Sequence, residues 1–170
     1  MEKQSAMKPA DEARLVRLLR QQRWAALGTH DPAGQQAEPY VSWVAFFAKD
    51  DLSGFVMHLS RLAPHTRNIL ALGRASLALT EPDDGMCNPQ QLARASIRGA
   101  VEEINPQHSD YESLKQRYIA RFPDAEMLFE FADFSLFCLV PDELRYVEGF
   151  ASTHRFKLDR LLSIAAQTLA

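Results

Sequence analysis

The chain has 170 residues, of which 46% are hydrophobic and 24% are charged, as in an ordinary soluble domain. Its formal net charge of −3 argues against binding to nucleic acid, because such binding needs a positive surface. No apolar run approaches the roughly 20 residues of a membrane-spanning helix, and the first residues lack the apolar centre of a secretion signal. We therefore expect one cytoplasmic domain over residues 1–170 that contacts no membrane.

Helices are predicted near both ends of the chain. Pro9 is tolerated where a helix begins, and Asp11 and Glu12 suit the first turn of a helix over about residues 10–23. Its leucines form a single apolar stripe, which is typical of a helix lying on the domain surface. Residues 157–169 repeat apolar side chains at helical spacing and predict an amphipathic tail helix.

Between these two helices the sequence predicts six or seven strands. The second strand, residues 38–48, is largely apolar on both faces, which indicates that both are covered. The others are expected at residues 24–29, 55–59, 74–80, 92–104, 134–140 and 143–150. Strands outnumber helices and rarely alternate with them. This pattern favours a mainly β fold, a closed antiparallel barrel with peripheral helices.

The strand at residues 92–104 has the cleanest two-residue alternation. Small and apolar residues face inward and polar residues face outward: Ala95, Ile97, Gly99 and Val101 against Arg94, Ser96 and Arg98. Gly99 in mid-strand indicates a bulge or a close approach by another group. Taken alone, the outward arginines fit an ordinary solvated strand face.

A short helix after the strand at residues 55–59 could hold an anion. Pro64 precedes a helix over about residues 65–72, where Thr66 is a candidate N-cap and Gly73 a terminator. Free amides at such an end, with His65 and Arg67 nearby, suit a phosphate. The alternative is a simple capped joint between strand and helix. Further along, Ser109 and Glu112 have the spacing of a capping box.

Other chemistries lack support in the sequence. The chain has no GxGxxG, GxxxxGK[ST] or GxSxG motif, so phosphate-loop nucleotide binding and an esterase elbow are not indicated. Its five histidines and two cysteines are scattered without the spacing of metal ligands. We therefore predict no metal site and name no catalytic residue.

Three segments in order carry a resemblance over most of the chain: LSRLAPHTRNILALGRASL, RASIRG and RYIARFPDAEMLFEFADFSLFCLVPDELRYVEGFA. They are similar to the pyridoxamine 5′-phosphate oxidase-like, FMN-binding split-barrel family. Within that family the chain most resembles the haem-iron utilisation (HugZ-like) branch. The resemblance implies a six-stranded antiparallel Greek-key split barrel, and a homodimer that holds FMN in clefts between its subunits.

The resemblance also assigns roles to nine residues as FMN ligands. One group matches the segment that grips the flavin phosphate: His65, Thr66, Arg67 and Asn68. Ser60 ends the strand that leads to this segment. A second group, Ser42, Trp43 and Val44, matches the strand whose backbone faces the isoalloxazine edge. Arg94 matches a polar flavin contact.

The chain departs from the true oxidase at two places. The family's oxidase has an Arg where its second strand begins and an Arg-Leu-His-x-Arg element near its end. Here the corresponding residues are Tyr40 or Val41, and only His154 and Arg155. Two hypotheses follow. The protein is an FMN-dependent oxidoreductase of unknown substrate, or it is a haem-binding or haem-iron utilisation protein of the same fold without fast flavin turnover.

Overall fold

A computed structural model describes residues 7–32, 38–149 and 152–169. Four α-helices occur: α1 Pro9–Gln21, α2 Pro64–Leu72, α3 Tyr111–Arg121 and α4 Leu158–Leu169. Eight strands occur: β1 Trp24–Asp31, β2 Glu38–Ala45, β3 Phe47–Ala48, β4 Phe55–Ser60, β5 Arg74–Thr80, β6 Arg94–Glu103, β7 Phe134–Gly149 and β8 Ser152–Phe156. Short 3₁₀ helices span Pro89–Gln91 and Pro123–Glu130. Among these described residues, no helix is both long enough and apolar enough to cross a bilayer.

The strands form one sheet whose two end strands follow each other directly in the chain. Their order is β2-β1-β5-β6-β7-β4-β3, with β8 added beside β7, and every pairing is antiparallel. The two ends of this order, β2 and β3, are consecutive in the chain and are separated only by Phe46. The Phe46 N–H donates to the Arg23 carbonyl at 3.1 Å, which continues the β1–β2 register by one residue. The predicted mainly β split barrel is confirmed.

The number of strands differs from the predicted six. Phe46 interrupts the long second strand, so one predicted strand becomes β2 and β3. The two strands expected at 134–140 and 143–150 form the single strand β7, while β8 was not predicted. Phe150, the last residue of the predicted strand, lies outside the described residues. Six barrel strands remain if β2 and β3 are counted together and β8 is set apart.

Two apolar clusters hold the barrel together, one inside it and one under α3. The inner cluster contains Phe55, Met57 and Phe137, and it extends to the buried faces of α1 and α4. The second cluster packs Val56, Leu136 and Cys138 against Leu114 and Tyr118 of α3. Consecutive residues of β4 therefore enter different clusters, because side chains alternate along a strand. Each fully buried large side chain stabilises the fold by about 1.5–3 kcal/mol.

The predicted irregularity at Gly99 is confirmed. The register between β6 and β7 shifts between Arg98 and Gly99. A Cβ at Gly99 would lie 1.9 Å from the Val140 carbonyl oxygen, so the two backbones are too close for any side chain. The alternation of β6 is also confirmed, since Ala95 and Ile97 are buried while Arg94 and Arg98 are exposed. Arg94 therefore points to the outer face of the barrel.

Two predicted helix caps are wrong. The N-cap of α2 is Ala63 and Pro64 is the first helical residue, so Thr66 lies inside the first turn. Proline favours that first position because its fixed φ suits a helix and its missing N–H costs nothing there. At α3 the N-cap is Asp110 and no side chain caps the helix. The Ser109 hydroxyl instead donates to the Asp110 carboxylate at 3.3 Å.

Candidate functional site

Two exposed tryptophans mark the most unusual surface of the barrel. Trp24 of β1 and Trp43 of β2 stack with ring centroids 6.1 Å apart and planes 7° from parallel. They are 53% and 58% exposed, which is high for side chains of this size. Because β1 and β2 are antiparallel neighbours, the two indoles form one flat apolar wall. This pair, called here the indole pair, borders two clefts.

The first cleft, called the Arg94 cleft, has a volume of about 680 Å³. Its floor consists of small residues from three neighbouring strands, with Ala26, Ala78 and Ser96 in register. The indole pair borders it on one side, and Arg94 and Arg145 lie on the other. Small side chains across three strands leave a shallow depression, since nothing longer fills the space between the two walls.

The two arginines of this cleft have no carboxylate partner among the described residues. The Arg94 guanidinium donates to the carbonyls of Gln90 and Leu92 at 3.2 and 3.3 Å. Arg98, four residues further along the same face, is instead 3.4 Å from the Glu143 carboxylate. A guanidinium has five N–H donors, so Arg94 retains donors for an anionic ligand.

The second cleft, called the α2 cleft, has a volume of about 480 Å³ and lies on the other side of the indole pair. It brings together four of the predicted residues: Trp43, Val44, Ser60 and His65. Aromatic rings from α3 and its surroundings complete it, among them Tyr118, Phe122 and Phe134. The cleft is therefore mainly apolar, as small-molecule sites usually are.

His65 is held in a fixed orientation within this cleft. Its Nδ1 lies 3.0 Å from the Ser42 hydroxyl, which is how the predicted Ser42 reaches the site. Burial lowers the pKa of His65, so its imidazole is neutral near pH 7. The Nε2 of His65 is thus the nitrogen that remains for a ligand.

A second histidine in the α2 cleft was not found from the sequence. His58 is only 8% exposed and stacks on Phe129 with ring centroids 3.8 Å apart. Its Nδ1 is buried and has no hydrogen-bond partner in the described part of the chain. Burial lowers the pKa of His58 to about 4, so the ring is neutral. Its position inside an apolar run of β4 was the signal that could have identified it.

The remaining residues of the predicted phosphate segment lie apart from the cleft lining. Thr66 is fully buried, and its hydroxyl has no partner among the described residues. Asn68 is buried too, and its side-chain amide donates to the Thr29 hydroxyl at 3.1 Å. Arg67 is exposed and donates to the Leu62 carbonyl at 3.0 Å. Of these three, none lines either cleft.

Comparisons with known proteins agree with this architecture. The chain is 28% identical over 153 residues to "Non-canonical heme oxygenase HOZ, chloroplastic" from Arabidopsis thaliana, covering 89% of the chain and 44% of that relative. The chain thus spans less than half the length of this curated relative.

Two solved structures share the fold. A heme binding protein from Mycobacterium smegmatis superposes with a TM-score of 0.76 at 22% identity, covering 94% of this chain and 62% of that one. A member of the pyridoxinephosphate oxidase family from Clostridium acetobutylicum gives 0.67 at 13% identity, covering 91% of this chain and 99% of that one. These likenesses confirm the split-barrel resemblance. Because a family profile described as "CREG, beta-barrel" matches residues 4–160, the chain belongs to the CREG β-barrel family.

Proposed function

We propose that the protein binds haem beside the indole pair. The observation that carries this proposal is the Arg94 cleft, where exposed stacked indoles face two arginines that have no carboxylate partner among the described residues. Haem is a flat apolar macrocycle with two carboxylates on one edge, and this combination of walls suits it. The names of the Arabidopsis relative and the mycobacterial structure point to the same ligand.

Different side chains among the described residues would contact different parts of such a ligand. Trp24 and Trp43 would pack on the macrocycle, while Arg94 and Arg145 would form charge-assisted hydrogen bonds with its carboxylates. The small residues of the floor leave room for a flat ring. His65 offers a neutral imidazole nitrogen on the other side of the indole pair, already oriented by Ser42. When bound, haem would supply the redox chemistry of its iron.

We also propose that the protein acts as a homodimer, with the outer face of β1 and β2 covered by a second copy. Val41 is 67% exposed and lies on the same face of β2 as Trp43. Together with the indole pair these side chains form an apolar patch, and such patches usually mark an interaction surface. A second copy over this face would close the Arg94 cleft and exclude water from the ligand.

An FMN-dependent oxidoreductase is the second candidate. It is favoured by the α2 cleft, which adjoins Trp43 and Val44 of the strand predicted to face the flavin ring, together with Ser60 and His65. The role of the nine residues named above as flavin ligands remains a prediction that belongs to this second candidate. It is weakened by the beginning of α2, where Pro64 has no N–H and the Thr66 amide donates to the Ala63 carbonyl instead of to a ligand.

Haem titration of the purified protein tests the proposal. We expect a Soret band that saturates at one haem per subunit. The double variant Arg94→Ala/Arg145→Ala should bind at least about tenfold more weakly, because two charge-assisted hydrogen bonds are lost. Arg98→Ala is the matched control, since this arginine lies on the same face but is paired with Glu143.

Two results would contradict the proposal. One is a haem spectrum that never saturates, which would indicate adsorption to apolar surface. The other is an equal loss of affinity in the double variant and in Arg98→Ala, which would mean that general positive charge attracts the ligand. A flavin fluorescence titration of the same samples tests the second candidate in parallel.

A further inference from the structure

We infer that Asp133 acts as a specificity determinant that keeps phosphate monoesters away from the beginning of α2. The inference goes beyond the proposed haem site and does not require haem to bind. The segment that resembles a flavin phosphate-binding site has most of its hydrogen-bond donors engaged within the protein. The consequence is a site that accepts flat apolar ligands but rejects those with a phosphate.

The hydroxyl of Ser60 is the first donor to be engaged. Its Oγ donates to the Asp133 Oδ2 at 2.6 Å and accepts the Leu62 N–H at 3.1 Å. The Arg61 N–H also donates to the Asp133 carbonyl, at 2.6 Å. Asp133 therefore holds the turn after β4 at two points. Its carboxylate accepts the hydrogen bond that the Ser60 hydroxyl would otherwise donate to a phosphate oxygen.

The backbone amides of α2 are the second set of donors. Pro64 has no N–H, and the Thr66 amide donates to the Ala63 carbonyl at 3.1 Å, beside the regular helical bond from the Arg67 amide at 3.2 Å. Only the His65 amide in this turn has no backbone acceptor among the described residues. A helix normally offers several free amides to an anion at its N-terminus, so this end is a poor phosphate site.

The nearby charges act in the same direction. Arg61 is paired with the Glu103 carboxylate, while Arg67 donates to the Leu62 carbonyl and, like Arg94, keeps further donors. The α2 cleft itself is lined by the carboxylate of Asp124 and the guanidinium of Arg23. With Asp133 added, carboxylates are at least as numerous as cations at this end. A phosphate monoester with about two negative charges would gain no net attraction there.

The free guanidinium groups lie across the indole pair. The Arg94 cleft presents Arg94 and Arg145 without carboxylate partners in the described residues, and of the two carboxylates that also line it, Glu81 is paired with Arg14 and Asp83 accepts the Gly85 N–H. The side near α2 presents Asp124 and Asp133 together with Arg23. Since the two clefts meet at Trp24 and Trp43, an elongated ligand with one anionic edge would direct that edge to Arg94. Asp133 would then contribute to ligand orientation as well as to phosphate rejection.

Two flavins that differ only by a phosphate test this inference. The wild-type protein, Asp133→Asn and Asp133→Glu would each be titrated with FMN and with riboflavin, following flavin fluorescence. Asparagine keeps an oxygen that can accept from Ser60, so the turn stays held while the charge is removed. Glutamate keeps the charge and is the matched control. Thermal melting checks that each variant is folded, and Asp133→Ser replaces the asparagine variant if that variant fails.

We expect wild type to bind FMN no more tightly than riboflavin. In Asp133→Asn the affinity for FMN should rise at least about tenfold while that for riboflavin stays within about twofold. Asp133→Glu should behave like wild type. The inference would be overturned if wild type bound FMN more tightly than riboflavin. It would also be overturned if the neutral variants gained no affinity specifically for FMN, or if no flavin bound at all. Haem binding by the same variants, read from the Soret band, reports separately on the proposed function.

Discussion

Replacement of Gly99 by alanine should strongly destabilise the barrel. The new Cβ would lie 1.9 Å from the oxygen and 2.7 Å from the carbon of the Val140 carbonyl, and 3.0 Å from the Pro141 Cα. All three are backbone atoms of β7, so no side chain can rotate away. The strands must separate by about 1 Å, which overpacks the core and weakens ladder hydrogen bonds. We expect a loss of about 3 kcal/mol, a large share of the 5–15 kcal/mol typical of a domain.

Urea denaturation followed by tryptophan fluorescence measures this loss. Gly73→Ala is the control, because Gly73 has no atom near its Cβ position but a φ of +65°. It should lose only about 1 kcal/mol, the cost of placing a side chain in the left-handed region. A midpoint for Gly99→Ala equal to that of Gly73→Ala would refute the steric argument. Such a result would mean that β6 and β7 can separate freely at the bulge.

Three further outcomes follow from the described contacts. Burial lowers the pKa of His58 to about 4. As the pH falls from 6.5 to 4, His58 is therefore protonated in the unfolded state but not in the folded state, and the free energy of unfolding should fall. His58→Phe should remove about 2 kcal/mol of this fall in pH-dependent urea denaturation. Arg14 lowers the pKa of Glu81 by hydrogen bonding, so Glu81→Gln should cost about 1 kcal/mol at pH 7 and progressively less as the pH falls below the ordinary Glu value of 4.5, as measured by the same method. Val41→Lys places charges on the proposed dimer face, and sedimentation velocity should show monomers; an unchanged dimer would exclude that face.

Much of the fold could be predicted because it depends on local pattern. The alternation of β6 determined which residues face outward, and Gly99 marked the bulge before any partner strand was known. The break at Phe46 could not be predicted, because it lies in an unbroken apolar run and marks the point where the chain passes from pairing with β1 to pairing with β4. The hairpin that adds β8 was missed since its residues are polar and lack a strong strand pattern.

The site was predicted less completely than the fold. Resemblance placed Trp43, Ser60 and His65 together, and one cleft does contain them. It gave no indication of Asp133, which lies 73 residues from Ser60 in sequence and meets it only through the pairing of β4 with β7. Thr66 was misplaced because the capping rule favours threonine, whereas Pro64 sets the start of α2. Contacts between distant strands were thus the missing information.

The central position of β7 in the sheet has a consequence for how the protein is made. β7 joins β6 to β4, so the edge of β4 that faces away from β3 has no partner from residue 60 until residue 134 has been synthesised. At ribosomal rates this interval lasts roughly 4 to 15 seconds. During that time the backbone groups along this edge of the apolar strand β4 are unpaired, so the strand is prone to pair with other nascent chains. Slower translation would lengthen this exposure, so the yield of native protein should depend on chaperones that shield β4.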